Sequence, residues 1–294
     1  MVQVFRGAKM RDYLKEIIIS VAAVLFMTLA IVAYFKAVRD EKTSSQTDLY
    51  TLAPPNANAL LAVNRPSVFT RMILSNPSLY NVFAAEIPEI FLSVIRENQQ
   101  MSLIVFSFHP QGVICCMQAG SKTANAIAKD ILPKKFKPYS PQIQTANGIE
   151  FYYYPDAENH FFGFYVHNGI WVGSYSSKLL ERAALQQLKG EVLLPVEMNR
   201  LRASFDANAP LNIVCPAGDW GINNLQWLSA DLFISGGNIC CYGSLPYDAV
   251  DTSLYTSIGD TLSRRIEAKY PRVHMSFQVQ REGEWLNLTG CSPI

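Results

Sequence analysis

The chain has 294 residues, 49% of them hydrophobic and 17% charged, with 25 Lys and Arg against 24 Asp and Glu. That balance excludes a disordered or collagen-like chain and leaves a folded protein with an apolar surplus. Past Lys42 there are 18 basic and 20 acidic residues, and the one basic patch, Lys134, Lys135 and Lys137, reads as a solvated loop, so a nucleic-acid partner is excluded.

Much of the apolar surplus lies in Ile17 to Phe35, IIISVAAVLFMTLAIVAYF, which holds no charge, Pro, Gly, Asn or Gln. As a helix this run is about 28 Å long, the hydrocarbon thickness of a bilayer, so the sequence predicts a transmembrane helix over 17–35 in contact with membrane lipid. A signal peptide has a shorter apolar run and a small-x-small cleavage site, whereas this one leads into Tyr34, Phe35 and Lys36. A lipid-attachment Cys is missing too, since the first Cys is Cys115. Arg6, Lys9, Arg11 and Lys15 precede the run and Lys36, Arg39 and Lys42 follow it. The positive-inside rule then places the tail 1–16 in the cytoplasm and the remainder outside it, at the inner membrane.

Asp40 to Pro55, DEKTSSQTDLYTLAPP, is polar and ends in paired prolines. It therefore reads as part of a linker over 36–55 that lifts a module, 56–294, off the bilayer. Ala59–Asn64 is a short apolar strand, and helices are predicted around 68–74, 79–85 and 89–96, separated by Pro77 and Pro88. Hairpins follow: 103–108 with 113–118, 142–145 with 149–154 across Asn147-Gly148, and 161–167 with 170–174 across Asn168-Gly169. Ser121 is a candidate cap for one amphipathic helix. Ser177 is a candidate cap for another, which ends at Gly190.

Beyond Gly190 the order strand, hairpin, helix, hairpin recurs. Asn212–Cys215 is followed by 231–235 with 239–244, a helix with Val250, Leu254, Ile258, Leu262 and Ile266 at a spacing of four, and a hairpin of 273–280 with 285–288. Gly112-Val-Ile-Cys-Cys-Met matches Gly237-Asn-Ile-Cys-Cys-Tyr, so candidate halves are 56–190 and 191–294. The fold class expected is α+β: an N-terminal transmembrane helix, then a mainly antiparallel sheet with packed helices and a candidate internal duplication.

Motifs for metal, nucleotide or triad chemistry are missing, so no cofactor, metal or catalytic residue is assigned. The six cysteines include two adjacent pairs, and neighbours on a strand face opposite sides. One member of each pair reads as a small buried hydrophobe, with one disulfide involving Cys215 or Cys291 as the alternative. The acidic loop Asp156–His160 offers too few oxygens for a cation. The most distinctive loop is Pro216–Trp227, whose Trp220, Asn223, Asn224 and Trp227 combine rings with amides as partner-binding surfaces do. Packing at a sheet end is the alternative for its tryptophans.

The apolar N-terminal run, the strand ALLAVNRP and the segment FFGFYVHNGIWVGSYSSKLLERAALQQLKG over 161–190 together resemble an uncharacterised family of bacterial membrane-anchored proteins, a domain of unknown function. The resemblance implies a cell-envelope setting and supplies no catalytic residues. The expected function is a non-catalytic extracytoplasmic binding or scaffolding module whose partner is another envelope protein or a cell-wall component. The alternative is a hydrolase-like envelope enzyme with a site assembled from Asp156, His160, Asp219 and His274.

Overall fold

The structure is a computed structural model that describes residues 2–98, 100–156, 160–190, 201–202, 204–206, 208–218, 227–235, 238–246, 257–271 and 273–293, with side chains from Val21 onward. It begins with one long helix, α1 (Val2–Gln46). From Val21 the helix is apolar and long enough to cross a membrane, and none of its most apolar window is buried against protein. Phe26, Tyr34 and Phe35 are among its exposed side chains.

The expected linker over 36–55 is corrected by the structure. The helix continues without a break to Gln46, and a 3-10 turn at Leu49–Leu52 follows, capped by the Asp48 carboxylate, which accepts from the Tyr50 N–H. Leu49, Tyr50, Leu52 and Ala53 are buried. The polar appearance of this stretch is no bar to structure, because Lys, Glu, Gln and Ser are compatible with a helix interior, and the apolar residues past the helix, Leu49, Tyr50, Leu52 and Ala53, fall on the buried side.

The module is built on one antiparallel sheet of twelve strands. They are β1 (Ala59–Val63), β2 (Leu103–His109), β3 (Gly112–Gln118), β4 (Gln142–Ala146), β5 (Ile149–Pro155), β6 (Phe161–His167), β7 (Ile170–Ser174), β8 (Leu211–Pro216), β9 (Trp227–Ser235), β10 (Asn238–Pro246), β11 (Ser276–Glu282) and β12 (Trp285–Pro293). Their spatial order is β11-β12-β10-β9-β8-β1-β2-β3-β7-β6-β5-β4. The hairpins form where the turn chemistry dictates: Asn147-Gly148 and Asn168-Gly169 all have positive φ, as type I′ turns require.

The strand order repeats on either side of the centre of the sheet. Read outward from the central β1·β8 pair, one side runs β1-β2-β3-β7-β6 and the other β8-β9-β10-β12-β11. Each is a three-stranded meander whose third strand pairs with the last strand of a later hairpin. The first half adds the hairpin β4-β5 at its edge. Both Cys-Cys pairs sit on the third strand of their meander, but the residue-for-residue match is offset by one. Cys115 packs in the same layer as Ile239, which puts Cys241, not Cys240, on its face of the sheet.

One face of the sheet is covered by α2 (Pro66–Ser75), α3 (Pro77–Glu86), α4 (Glu89–Glu97), α5 (Gly120–Ala126), a π turn at Ile127–Ile131 and α6 (Leu132–Lys135). Pro66 and Pro77 occupy first-turn positions, where a missing N–H is harmless. Phe91 of α4 lies at the centre of this layer, with its ring centroid 6.0 Å from Phe106, 5.7 Å from Phe162 and 6.3 Å from Trp171. Gly173 leaves room for the Trp171 indole, because a Cβ there would fall 2.3 Å from a ring carbon.

The opposite face of the first half is covered by the 3-10 turn and by α7 (Ser177–Lys189). That helix is capped by Ser176, one residue before the expected Ser177, and it ends at Gly190 with φ 66. Ser121 caps nothing; it binds α1 instead. In the second half α8 (Ile258–Lys269) packs on the same side as α2–α6, over Leu245, Leu286 and Leu288. The remainder of the helix expected from Val250 lies outside the described residues.

Candidate functional site

Two features set this molecule apart from a plain α+β domain, and the first is the junction between α1 and the module. The last turns of α1 lie on the Asn168-Gly169 turn and the start of α5. Ser44 Oγ donates to the Gly169 carbonyl at 3.2 Å, Ser121 Oγ donates to Asp40 Oδ2 at 3.0 Å, and Gln118 Nε2 donates to the Thr47 carbonyl at 2.7 Å. Phe35 to Asp40 is five residues of helix, about 7.5 Å of rise, so a helix embedded to Phe35 holds this end of the sheet close to the bilayer. The basic patch expected to be a loop is in part helical: Lys134 and Lys135 are the last turn of α6 and Lys137 follows it, at the strand end of β4 opposite the Asn147-Gly148 turn, and Lys135 is paired with Glu97 at 2.6 Å.

Gly169 makes the junction testable. A Cβ there would fall 3.0 Å from the Asp40 carbonyl, 3.1 Å from Ser44 Cβ and 3.2 Å from Gly120 Cα, whereas a Cβ on Gly148, at the same place in its own Asn-Gly turn, meets nothing within 4 Å. Alanine at either position strains a turn of positive φ, but only at 169 does it collide with α1. Gly169→Ala is therefore expected to lower stability by about 1–3 kcal/mol more than Gly148→Ala and to speed amide exchange over 40–46. Equal effects of the two substitutions would contradict a docked helix.

The second feature is the face of β9–β12 opposite α8. Along these strands the inward residues are mostly apolar, and the outward ones include Trp227, Ser229, Asp231 and Phe233 on β9, Tyr242 and Ser244 on β10, Trp285, Asn287 and Thr289 on β12, and Ser276, Gln278, Gln280 and Glu282 on β11. Antiparallel sheets commonly keep one solvated face, and alternation along the strand produces it. Tyr242 is 43% exposed, and its ring stands edge-on to Phe233 with centroids 5.5 Å apart. Ser244 Oγ donates to Asn287 Oδ1 at 3.1 Å, and Asn287 Nδ2 donates to Glu282 at 2.7 Å. The disulfide Cys240–Cys291 joins β10 to β12 on this same face. Both cysteine readings hold in part: Cys115 and Cys116 are free and buried, and a disulfide through Cys291 joins it to Cys240.

At the inner margin of this face Ser204, Phe205, Ser229, Asp231, Tyr242 and Ser244 line a depression of about 10 Å³, too small for a cofactor. Asp231 is its floor. Burial raises the Asp231 pKa above the usual carboxylate value, opposed by the hydrogen bonds it accepts. The Asp206 N–H donates to it at 2.9 Å and the Asn212 amide at 2.6 Å, while Asn64 donates to Asn212 and to the Ala209 carbonyl. This buried amide–carboxylate chain ties together β1, β8 and β9, where the two halves meet. Beside it Arg202 grips Asp48 with two bonds of 2.9 and 2.8 Å and lies 3.9 Å over the Tyr50 ring.

Of the residues expected to bind a partner, Trp227 is the first residue of β9, opposite Pro216, and packs half-buried against the core beneath α7. Trp220, Asn223 and Asn224 lie outside the described residues, as does Asp219. The remaining enzyme candidates are not brought together. Asp156 accepts from the Tyr175 hydroxyl at 2.7 Å and its N–H donates to the His160 carbonyl at 2.8 Å, which closes the β5–β6 loop. His274 pairs with Glu267 at 3.0 Å beside β11, at the other edge of the sheet.

The sequence reading missed one nucleophile–base contact. Ser107 Oγ lies 2.8 Å from His109 Nε2, both on β2, with Ser107 1% and His109 8% exposed. Their i, i+2 spacing was the available signal. With no opening to solvent at the hydroxyl, the pair is structural. Burial lowers the His109 pKa from 6.5, opposed by a hydrogen bond to the Asn56 backbone and aided by the Arg182 charge. A base with a depressed folded pKa contributes stability that is full above the unfolded value and is lost as pH falls below about 6.5, where the unfolded chain takes up the proton first. Urea midpoints measured from pH 7.5 to 5 are expected to fall in that window, and His109→Gln is expected to flatten the slope.

No family model matches the chain, and no curated protein matches it. Solved structures do. Crystal form I of TP0453 superposes with a TM-score of 0.52 at 12% identity, covering 85% of this chain and 94% of that one. Crystal form IV of TP0453 gives 0.48 at 12% identity over the same shares. The likeness is one of fold. With crystal form I it extends over 85% of this chain.

Proposed function

We propose that this chain is a single-pass membrane protein of the bacterial cell envelope, related to the uncharacterised membrane-anchored family it resembles. In this reading its N-terminal helix lies in the inner membrane with the N-terminus in the cytoplasm. The α+β module outside serves as a non-catalytic binding or scaffolding unit. The observation that carries the reading is the continuity of α1: an apolar helix of membrane-spanning length runs straight into a hydrogen-bonded dock on the module. Such a joint presents the solvated β9–β12 face in a fixed attitude to the bilayer. A disulfide on that face suits an oxidising compartment, and the excess of basic residues before the span suits a cytoplasmic N-terminus.

The binding role is tested by placing a photo-activated cross-linking residue at Gln278, on the solvated face, or at Lys178, exposed on α7, in the full chain in cells. The expected result is a defined adduct of higher mass from position 278 and none from 178. Adducts from both positions alike, or from neither, would overturn the reading.

A further inference from the structure

We propose that the solvated face of β9–β12 binds an uncharged oligosaccharide laid across the strands. The proposal rests on the reading of the module as an extracytoplasmic binder and names the chemistry of what it binds. The depression over Asp231 holds only about 10 Å³, too little for a sugar ring, so an oligosaccharide bound to this face lies along its surface. The groups it offers are hydroxyls and carboxamides, from Ser276, Gln278, Gln280, Ser244, Asn287 and Thr289. Each carboxamide presents a donor and an acceptor side by side, which matches the paired hydroxyls of a sugar ring. Ser276, Gln278 and Gln280 are exposed.

Charge decides against other ligands of this shape. Asp231 is buried and accepts two hydrogen bonds, and the exposed Glu282 at the rim already accepts from Asn287. No Lys or Arg lies among the outward residues of β9–β12, so a polyanion, a phospholipid headgroup or an acidic peptide finds no counter-charge here. Exposed apolar cover is nearly as scarce: Phe233 and Trp285 also point to this side but are half-buried, and of the three rings Tyr242 alone is exposed, whereas the core of a stable protein interface requires several large apolar side chains. Tyr242 provides one aromatic plane, held edge-on by Phe233, and the C–H face of a pyranose packs on such a ring. Adjacent strands set these groups about 4.8 Å apart, the scale of a single sugar ring. The Ser244–Asn287–Glu282 chain and the Cys240–Cys291 bond hold β10, β11 and β12 in register, so the surface is ordered before a ligand arrives.

The test uses the full chain in lipid nanodiscs and titration calorimetry with two probes: the hexamer of N-acetylglucosamine, which is uncharged, and hexagalacturonate, which is polyanionic. The wild-type chain is expected to bind the first and not the second. Tyr242→Ala and the double substitution Gln278→Ala with Gln280→Ala are each expected to weaken binding by tenfold or more. The two glutamines are exposed on an edge strand, so this variant keeps its fold even where Tyr242→Ala does not, and thermal unfolding verifies that. No binding of the uncharged hexamer, equal binding of hexagalacturonate, or unchanged affinity in the glutamine variant would each overturn the proposal. If the cross-linker at position 278 traps a partner in cells while the hexamer fails to bind, the oligosaccharide is wrong and the docking role stands. If both experiments fail, both readings fall.

Discussion

Phe91→Ala is expected to lower the stability of the module by about 3–5 kcal/mol, the range for removing a fully enclosed aromatic side chain. Phe91 is 0% exposed, and its ring touches residues from β2, β6 and β7 at once through Phe106, Phe162 and Trp171. Trp171 cannot settle into the gap, because it is held over Gly173 and flanked by Phe164 with centroids 6.0 Å apart. The void therefore persists and adds its own penalty to the lost burial. Because α4 is the element that carries Phe91, the substitution is also expected to loosen α4 before the sheet, seen as faster amide exchange over 89–97. A loss below about 1 kcal/mol in a denaturant titration would contradict the aromatic core described.

Removal of the Cys240–Cys291 bond ranks next. The cross-link spans 51 residues of sequence, and a loop of that length restricts the unfolded chain enough to be worth about 2–4 kcal/mol. Cys291→Ala is expected to lower the melting temperature of protein made in an oxidising compartment and to leave fully reduced protein unaffected. Thiol titration of the denatured, unreduced chain is expected to find four thiols, those of Cys115, Cys116, Cys215 and Cys241. Six thiols would mean that the bond does not form and that the module resides where disulfides are not made.

Much of the fold was legible because local rules and tertiary packing agree. The two Asn-Gly turns, Gly190 at the end of α7, and the prolines that open α2 and α3 each mark a backbone position that only those residues occupy well. Two things were not legible. Asp40–Gln46 is polar enough to pass for a tether, and what keeps it helical is contact with Gly169, Gln118 and Ser121, residues far away in sequence. The solvated face escaped for a similar reason. Gln278, Gln280, Asn287 and Tyr242 are ordinary strand residues one by one, and their grouping exists only once β11, β12 and β10 are paired. Trp227 stands out in sequence because tryptophans and amides cluster around it, as in a binding loop. In the structure Trp227 starts a strand and packs on the core.

The same pairing explains why Asp231 drew no notice. A lone Asp in an apolar strand reads as an outward residue, yet here it is the buried acceptor for Asn212 and for the Asp206 amide. Three short polar side chains, Asn64, Asn212 and Asp231, thus fix how the two halves join at β1·β8. A buried polar chain of this kind is satisfied only in one register, so it selects that register over its neighbours.

The proposed function requires a module held outside the cytoplasm by a helix that stays in the membrane. Substituted-cysteine labelling of the full chain in spheroplasts measures this directly, with Gly7→Cys reporting the N-terminal tail and Lys178→Cys reporting the module. A membrane-impermeant maleimide is expected to label Cys at 178 in intact spheroplasts and Cys at 7 only after the membrane is permeabilised. Labelling of 7 with protection of 178 would contradict the orientation, and recovery of the module in the soluble fraction without its first residues would contradict the anchor.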